Sequence, residues 1–362
     1  MKKSILILLS LIAFISCNKN DDNSIKHHKE VCDFKSEIMA PEGYDVNTIG
    51  SIDFNGSVQS FQFVSKQIGF AMLRNSVGGY VEVFKTIDGG ISWTNLNIGI
   101  KQHPRSMIFK DENFGIITVL DVTGCPPPNC QNKCVVLKTE NGGLDWEEVN
   151  YEELKGAFYH PKFDSEGNLY ANLNLDSKSV LMKSIDDGQT WDTLFSSPDL
   201  GFTLVTFSFE IFQDRIFISA KNGKLIELDK NGNLIKIIGI DKSPIWDVEI
   251  IDTNNIVVVF SGEVLKSMDG GDTWQTIYDE SARMIGFDSV NKGLMILQKS
   301  SCPTDVFQAN DLIASTVNGG LDWQESQETT TNLGTRFRNS QKMDAGIWYI
   351  MTGNTLIEIK EK

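Results

Sequence analysis

SMDGGDTW, residues 267–274, places a hydroxyl, an acid, two glycines, a second hydroxyl and a tryptophan within eight consecutive positions. Such a cluster could belong to an active site, but it has relatives along the chain. TIDGGISW ends at Trp93, TENGGLDW at Trp146, SIDDGQTW at Trp191 and TVNGGLDW at Trp323. Successive tryptophans of the five copies lie 53, 45, 83 and 49 residues apart. The long interval hides a sixth, worn copy, ELDKNGNL, which keeps Asp229 and Gly232 and ends at Leu234 instead of tryptophan. A unit recurring every ~40 to 50 residues marks a circular or stacked repeat architecture.

Each copy sits between strands. Runs such as VEVFKT, VVLKT, VLMKS, KLIEL, EVLKS and LIAST precede it and a short strand such as WQTIY follows, so the box is the turn of a hairpin. Further upstream a pair of strands recurs seven times, from FQFVSKQIGFAML to QKMDAGIWYIM; the seventh is followed by TLIEIK and by no box. Four antiparallel strands per unit, seven units and a last unit short of its outer strand predict an all-β chain folded as a seven-bladed β-propeller. The missing strand is expected within residues 46–54, because joining the first blade to the last removes the open edges. No stretch carries the period and caps of a good helix.

In the box, an acid at the third position can accept hydrogen bonds from its own turn, the first-position hydroxyl can do the same, and glycine permits positive φ. The tryptophan can fold back as a packing anchor. Acid–base chemistry would need a second group fixed beside the carboxylate, and one centre repeated around a ring is not how an enzyme is built. The pattern S/T-x-D-x-G-x-T/S-W resembles the Asp-box, or BNR repeat, of sialidases, sortilin-type receptors, some xyloglucan hydrolases and the photosystem II assembly-factor family of propellers. The resemblance covers almost all of the chain beyond its leader and implies a fold, not an activity. The assembly-factor family is nearest in blade count and single-propeller size, which implies an envelope scaffold or assembly role.

The chain begins MKKSILILLSLIAFISC, two lysines followed by an apolar run from Ile5 to Ile15 broken only by Ser10. That run is too short for a permanent membrane span and has the layout of a secretory signal. Ser16 before Cys17 resembles a bacterial lipoprotein processing site, implying a leader over residues 1–16 and acylation of Cys17. Phe14 stands where that pattern usually has Leu, and an ordinary signal peptide is the alternative. Residues 17–30 are polar and read as a flexible tether; residues 31–362 read as the single propeller. The acidic pair Asp21 and Asp22 resembles the surface-export signal of Bacteroidetes lipoproteins. The expected location is the outer membrane of the cell envelope, with either leaflet open. A formal net charge of −15 argues against nucleic acid as a partner.

In a propeller the innermost strand of each blade lines the channel, and the loops leading into it lie opposite the boxes. Four positions before the recurrent apolar residue of each inner strand stand Gln59, Arg105, Tyr159, Ser208, Asp247, Arg283 and Asn339, with His103, His160, Trp246 and Arg338 nearby. Arg105 and Arg283, from blades two and six, with Tyr159 and Asp247 form the candidate ligand-binding set at the channel mouth, suited to a carboxylate or sulfate because guanidinium forks match planar anions. A water-filled mouth is polar in any propeller, which is the plainer explanation. Sialidases use an arginine triad, a tyrosine and acids; here the Arg-Ile-Pro signature is absent and the chain has only six arginines. Xyloglucan hydrolases of this repeat type need two propellers, and this chain has room for one.

Cys125, Cys130 and Cys134 fall in GCPPPNCQNKC, a long connection in blade two, and Cys302 falls in the long connection of blade six. With Cys32, an exported chain has five such cysteines, so two disulfides and one leftover thiol are the simplest count, with the pairing open. No fourth ligand accompanies the C-x4-C-x3-C spacing, so no metal is expected, and no cofactor. The expectation is a lipid-anchored, monomeric, non-enzymatic propeller binding an envelope protein or surface glycan; a sialidase-like, glycan-cleaving enzyme with its site at the mouth is the alternative.

Overall fold

A computed structural model describes residues 39–362, apart from 77–79, 99, 101–102, 122–132, 175–178, 197–203, 221–222, 241, 243, 281, 300–309 and 327–339. The leader, the tether, Cys17, Cys32, Cys125, Cys130, Cys302, Arg338 and Asn339 lie outside the described residues. Within them the chain forms 28 strands and no helix, arranged as seven four-stranded antiparallel sheets. Blade 1 comprises Gly56–Phe63, Gly69–Asn75, Val81–Thr86 and Thr94–Asn95, from channel to rim. The inner strands of blades 2 to 7 are His103–Phe109, Ala157–Phe163, Leu204–Phe212, Asp247–Ile250, Ala282–Phe287 and Ser340–Asp344.

The second strand of each blade explains the architecture. Strands such as Ile256–Phe260, IVVVF, are buried at every residue, so they show no alternation of apolar and polar positions. Both of their faces must be covered, and a neighbouring blade covers each. The apolar core is accordingly divided into seven clusters, each shared by two adjacent blades. Closure follows the expected route: Tyr44–Ser51 pairs antiparallel with Thr355–Glu361, from Tyr44 opposite Glu361 to Ser51 opposite Thr355. The N-terminal strand thus supplies the outer strand of blade 7 and begins slightly earlier than residue 46.

The boxes close the third-to-fourth-strand hairpins. In SMDGGDTW the Ser267 hydroxyl accepts the Gly271 N–H at 2.7 Å, while Asp269 accepts the Thr273 N–H at 2.8 Å and its hydroxyl at 2.6 Å. Gly270 and Gly271 hold φ of 70° and 89°, the left-handed region that glycine adopts without steric cost. The turn is also tied to its own blade, since the Gly270 N–H donates to the Asn254 carbonyl at 2.9 Å, in the hairpin joining the first two strands. Trp93, Trp146 and Trp323 pack edge-on against Phe63, Phe109 and Phe287 of the inner strands, with ring centroids 5.9–6.1 Å apart.

Two boxes carry Asn at the third position, and there the acid moves to the seventh. Asn141 accepts the Asp145 N–H at 2.9 Å and donates from Nδ2 to Asp145 Oδ2 at 2.9 Å; Asn318 and Asp322 repeat this. The two positions therefore always combine one carboxylate with one donor. The worn copy keeps the same rule, because Asn233 donates from both N–H and Nδ2 to Asp229 at 2.8 Å. Its first position has changed character: Glu227 replaces the hydroxyl and pairs with Arg215. The lysine preceding the box adds a tie between blades, as Lys266 donates to the Val290 and Gly319 carbonyls of the next blade at 2.6 and 3.1 Å.

The donor–acceptor rule makes a falsifiable double-mutant cycle. Thr273→Asp sets two carboxylates against each other and lowers the urea midpoint at neutral pH; adding Asp269→Asn recreates the Asn141–Asp145 pairing and recovers most of the loss. The turn hydrogen bonds hold Asp88 and Asp269 down to about 2 from the ordinary 3.8. The stability they contribute is thus complete above pH ~4 and is lost as pH falls towards ~2.

Candidate functional site at the channel mouth

Chain direction separates two faces. Inner strands start at the loop face and end at the box face, so Arg105, Tyr159, Asp247 and Arg283 all stand in the loop-side part of their strands. Gln59, Arg105 and Arg283 occupy the irregular point of their inner strands, where the register skips one residue. Such bulges re-aim a side chain. The side chain of Ser208 lies outside the described residues.

The seam between blades 2 and 3 brings two of the four together. The Arg105 guanidinium lies over the Tyr159 ring, 5.6 Å from its centroid. Arg105 Nε is buried and has no hydrogen-bond partner among the described residues. Directly opposite Tyr159 in the next strand stands Asn172, fully buried, with both amide atoms unmatched. Beside them His160 holds φ of 53° and its N–H donates to the Ser106 hydroxyl at 3.3 Å. A non-glycine residue in that region is a local cost that concentrates at binding and catalytic sites. The seam therefore offers a stacked guanidinium, a phenol and an amide with unused hydrogen-bonding capacity.

Asp247 belongs to a different group. The charges that act on it are Glu210, Glu249 and Lys162, with no arginine among them. Lys162 pairs with Glu210 across blades 3 and 4. Burial, first, and then the neighbouring carboxylates Glu210 and Glu249 push Asp247 up to about 8; burial and Glu210 push Glu249 up to about 7. Both side chains keep some contact with the channel while protein surrounds them. Glu249 also takes part in a recurring clasp. Gln341 and Gln62 each accept the N–H and donate to the C=O of a phenylalanine in the next inner strand, Phe63 and Phe109, at 2.7–2.9 Å. At the corresponding place Glu249 accepts the Phe287 N–H at 3.3 Å, and Lys342 donates to the Phe287 carbonyl at 2.9 Å.

The sequence expectation of one four-residue mouth thus resolves into a blade 2–3 seam holding Arg105 and Tyr159, a carboxylate group holding Asp247, and Arg283 on blade 6. Glu210, Glu249, Lys162 and Asn172 were not anticipated; their only trace is polar alternation within SFEIF, DVEI, HPKF and YANL. The cysteine reading needs one correction. Cys134 lies within the strand Lys133–Thr139, not in the loop before it, and is a free, fully buried thiol in the core between blades 2 and 3. Burial pushes it up to about 12, so it is an inert packing residue; the pairing of the other four cysteines lies outside the described residues. Among the described residues no cluster of three or more His, Cys, Asp or Glu could hold a metal ion.

These features define a single seven-bladed propeller with clipped turns on one face and a polar channel mouth on the other. No protein-family model matches the chain, and no curated protein matches it. Among solved structures, YCF48 bound to a D1 peptide is similar over 91% of this chain and 100% of that chain, at 12% identity and a TM-score of 0.62. A PL25 ulvan lyase bound to -[GlcA(1-4)Rha3S]- is similar over 87% of this chain and 96% of that one, at 13% identity and a TM-score of 0.57. The GH74 xyloglucanase from Xanthomonas campestris matches 86% of this chain but 53% of its own, at 12% identity and a TM-score of 0.56; the chain spans about half of that enzyme. At such identities the likeness establishes the fold.

A raised carboxyl binds its proton more tightly in the folded than in the unfolded chain, so stability declines as pH rises from the unfolded value to the folded one. Urea unfolding should therefore show stability falling between pH ~4 and ~8 through Asp247 and Glu249. The pair Asp247→Asn with Glu249→Gln removes that slope, and Glu249→Gln completes the clasp seen at Gln62 and Gln341. An unchanged slope in the double variant would mean that neither carboxyl is held protonated.

Proposed function

We propose that this chain is a lipid-anchored, non-enzymatic propeller of the cell envelope, acylated at Cys17 and monomeric, that binds a carboxylate-bearing segment of a partner protein at the channel mouth. The observation that carries this reading is the Arg105 guanidinium stacked on Tyr159, with its Nε buried and unmatched. A carboxylate docked there would take up hydrogen bonds that no described residue of the protein accepts, and charge-assisted bonds of this kind are the stronger ones. Arg283 adds a second cation to the mouth, from blade 6. Support comes also from the Asp-box character of the octapeptides, which links the chain to propellers used as scaffolds, and from the peptide held by YCF48 in a structure of similar fold. A leader over residues 1–16, a tether over residues 17–30 and an outer-membrane location complete the reading.

A second reading, a sialidase-like or other glycan-cleaving enzyme, draws on one observation. Asp247 and Glu249 are two neighbouring carboxyls held protonated near neutral pH, the property a general acid requires. The xyloglucanase and ulvan lyase of similar fold keep that reading in view.

Fluorescence anisotropy with an array of acidic and C-terminal peptides separates the two. Carboxylate-bearing peptides should bind, and Arg105→Ala should weaken them about tenfold or more, the worth of a lost charge-assisted bond. Peptide binding indifferent to Arg105 and Arg283 would overturn the proposal. New reducing ends or unsaturated sugars released from envelope glycans, and abolished by Asp247→Asn, would establish the enzyme instead.

A further inference from the structure

The face that the boxes occupy is not chemically neutral. The seven most exposed large apolar side chains among the described residues, 63–76% open to solvent, all lie in the boxes. Each of the five tryptophan-bearing copies presents at least one, at its second or sixth position: Ile87, Leu144, Ile185, Met268 and Val317. Single exposed aliphatics need no explanation, but their confinement to one face of a ring does. The turn needs only its hydroxyl, acid, glycine and tryptophan positions, so nothing in the hairpin itself demands an aliphatic at the second or sixth place.

The chain also enters the propeller on this face. Tyr44 starts the outer strand of blade 7 opposite Glu361. The Lys362 N–H donates to the Gly43 carbonyl at 2.9 Å, and the Glu361 N–H donates at 2.8 Å to Gly346, in the box-side hairpin of blade 7. Gln324, immediately after Trp323, donates to Glu42 at 2.8 Å. Residues 42 to 44 therefore stand beside the box of blade 6. Only residues 18–41 separate Cys17 from this point in the sequence.

We infer that the box face docks on the lipid bilayer that holds the protein's own anchor, with its ring of aliphatic side chains at the headgroup boundary and the channel mouth turned away from the membrane. This rests on the acylation of Cys17 proposed above. The geometry places the chain's entry and a set of projecting apolar side chains on one face, and with Cys17 acylated these meet the two requirements of interfacial binding. The net charge of −15 selects against a strongly anionic surface, and the box carboxylates Asp88 and Asp269 are already engaged by their own turns. The preferred surface is one of zwitterionic lipids.

Photocrosslinking on full-length, acylated protein reconstituted into phosphatidylethanolamine–phosphatidylcholine vesicles tests this. A benzophenone side chain replaces Ile185 or Val317 on the box face, or Ser261 in the exposed turn on the loop face; all three are surface positions whose replacement leaves the core untouched. Lipid adducts from positions 185 and 317 and their loss at position 261 are expected. Mass spectrometry of the N-terminal peptide reports acylation separately. Adducts from 261 but not from 185 and 317, or no adducts from an acylated protein, overturn the docking while leaving the anchor standing. Protein rather than lipid adducts from positions 185 and 317 in intact envelopes overturn it in favour of a partner. An unacylated Cys17 removes the anchor and the docking together.

Discussion

A four-stranded sheet with two apolar faces cannot exist alone in water, and every blade of this protein is such a sheet. Its second strand is buried on both sides, so each blade depends on two neighbours for its core. A ring satisfies this for all blades at once, whereas a stack would leave two apolar faces open. Closure is therefore a requirement of the composition of the strands. It is met by a pairing between the two ends of the chain, Tyr44–Ser51 with Thr355–Glu361. The same pairing determines that both ends of the folded domain emerge at the box face.

Packing around the ring is tight enough for individual side chains to matter. A Cβ added to Gly286 would come within 2.0 Å of the Trp348 ring, which crosses from blade 7; only glycine admits that ring without displacement. The Gln62 and Gln341 clasps bind successive inner strands through backbone groups that would otherwise face the channel unpaired. Where a glutamate and a lysine take the glutamine's place, as at Phe287, the same backbone groups are served by ionisable side chains, and burial together with the nearby Glu210 raises the Glu249 carboxyl. Inter-blade cohesion and channel chemistry therefore draw on the same positions.

Much of the fold was legible because the box fixes a phase. Six octapeptides count six blades, the strand pair that recurs without a box adds the seventh, and the strand runs specify the number of strands per blade and the source of the missing one. The roles of the third-position acid and first-position hydroxyl as acceptors within the turn were also readable, whereas the exchange of acid and amide between Asn141 and Asp145 emerged only from the structure. The candidate site was legible only in part. Position counting back from Phe109 and Phe163 found Arg105 and Tyr159, which do meet. It failed to foresee that Asp247 would couple to Glu210, Glu249 and Lys162, because bulges shift the register differently in blades 3 and 4 while the inner pair of blade 5 is regular, and no single spacing survives such differences. Cys134 was misplaced for a related reason: the strand begins one residue before it, and burial of a lone thiol leaves no pattern in the sequence.

The division of labour between the two faces follows from what each leaves unsatisfied. At the box face the first-position hydroxyl and the acid of each tryptophan-bearing turn find partners within that turn, and large aliphatic side chains stand exposed beside the turn's polar groups. At the mouth the reverse holds: the aliphatic side chains are consumed between blades, and what remains is a guanidinium on a phenol, a buried amide and carboxyls held protonated. A surface whose turn carboxylates are already engaged and which projects aliphatic side chains favours contact with the lipid interface. One with unmatched donors favours a polar ligand whose acceptors can replace water. The chain's point of entry on the apolar face places these two preferences on opposite sides of the ring, so that attachment at one face leaves the other open for recognition.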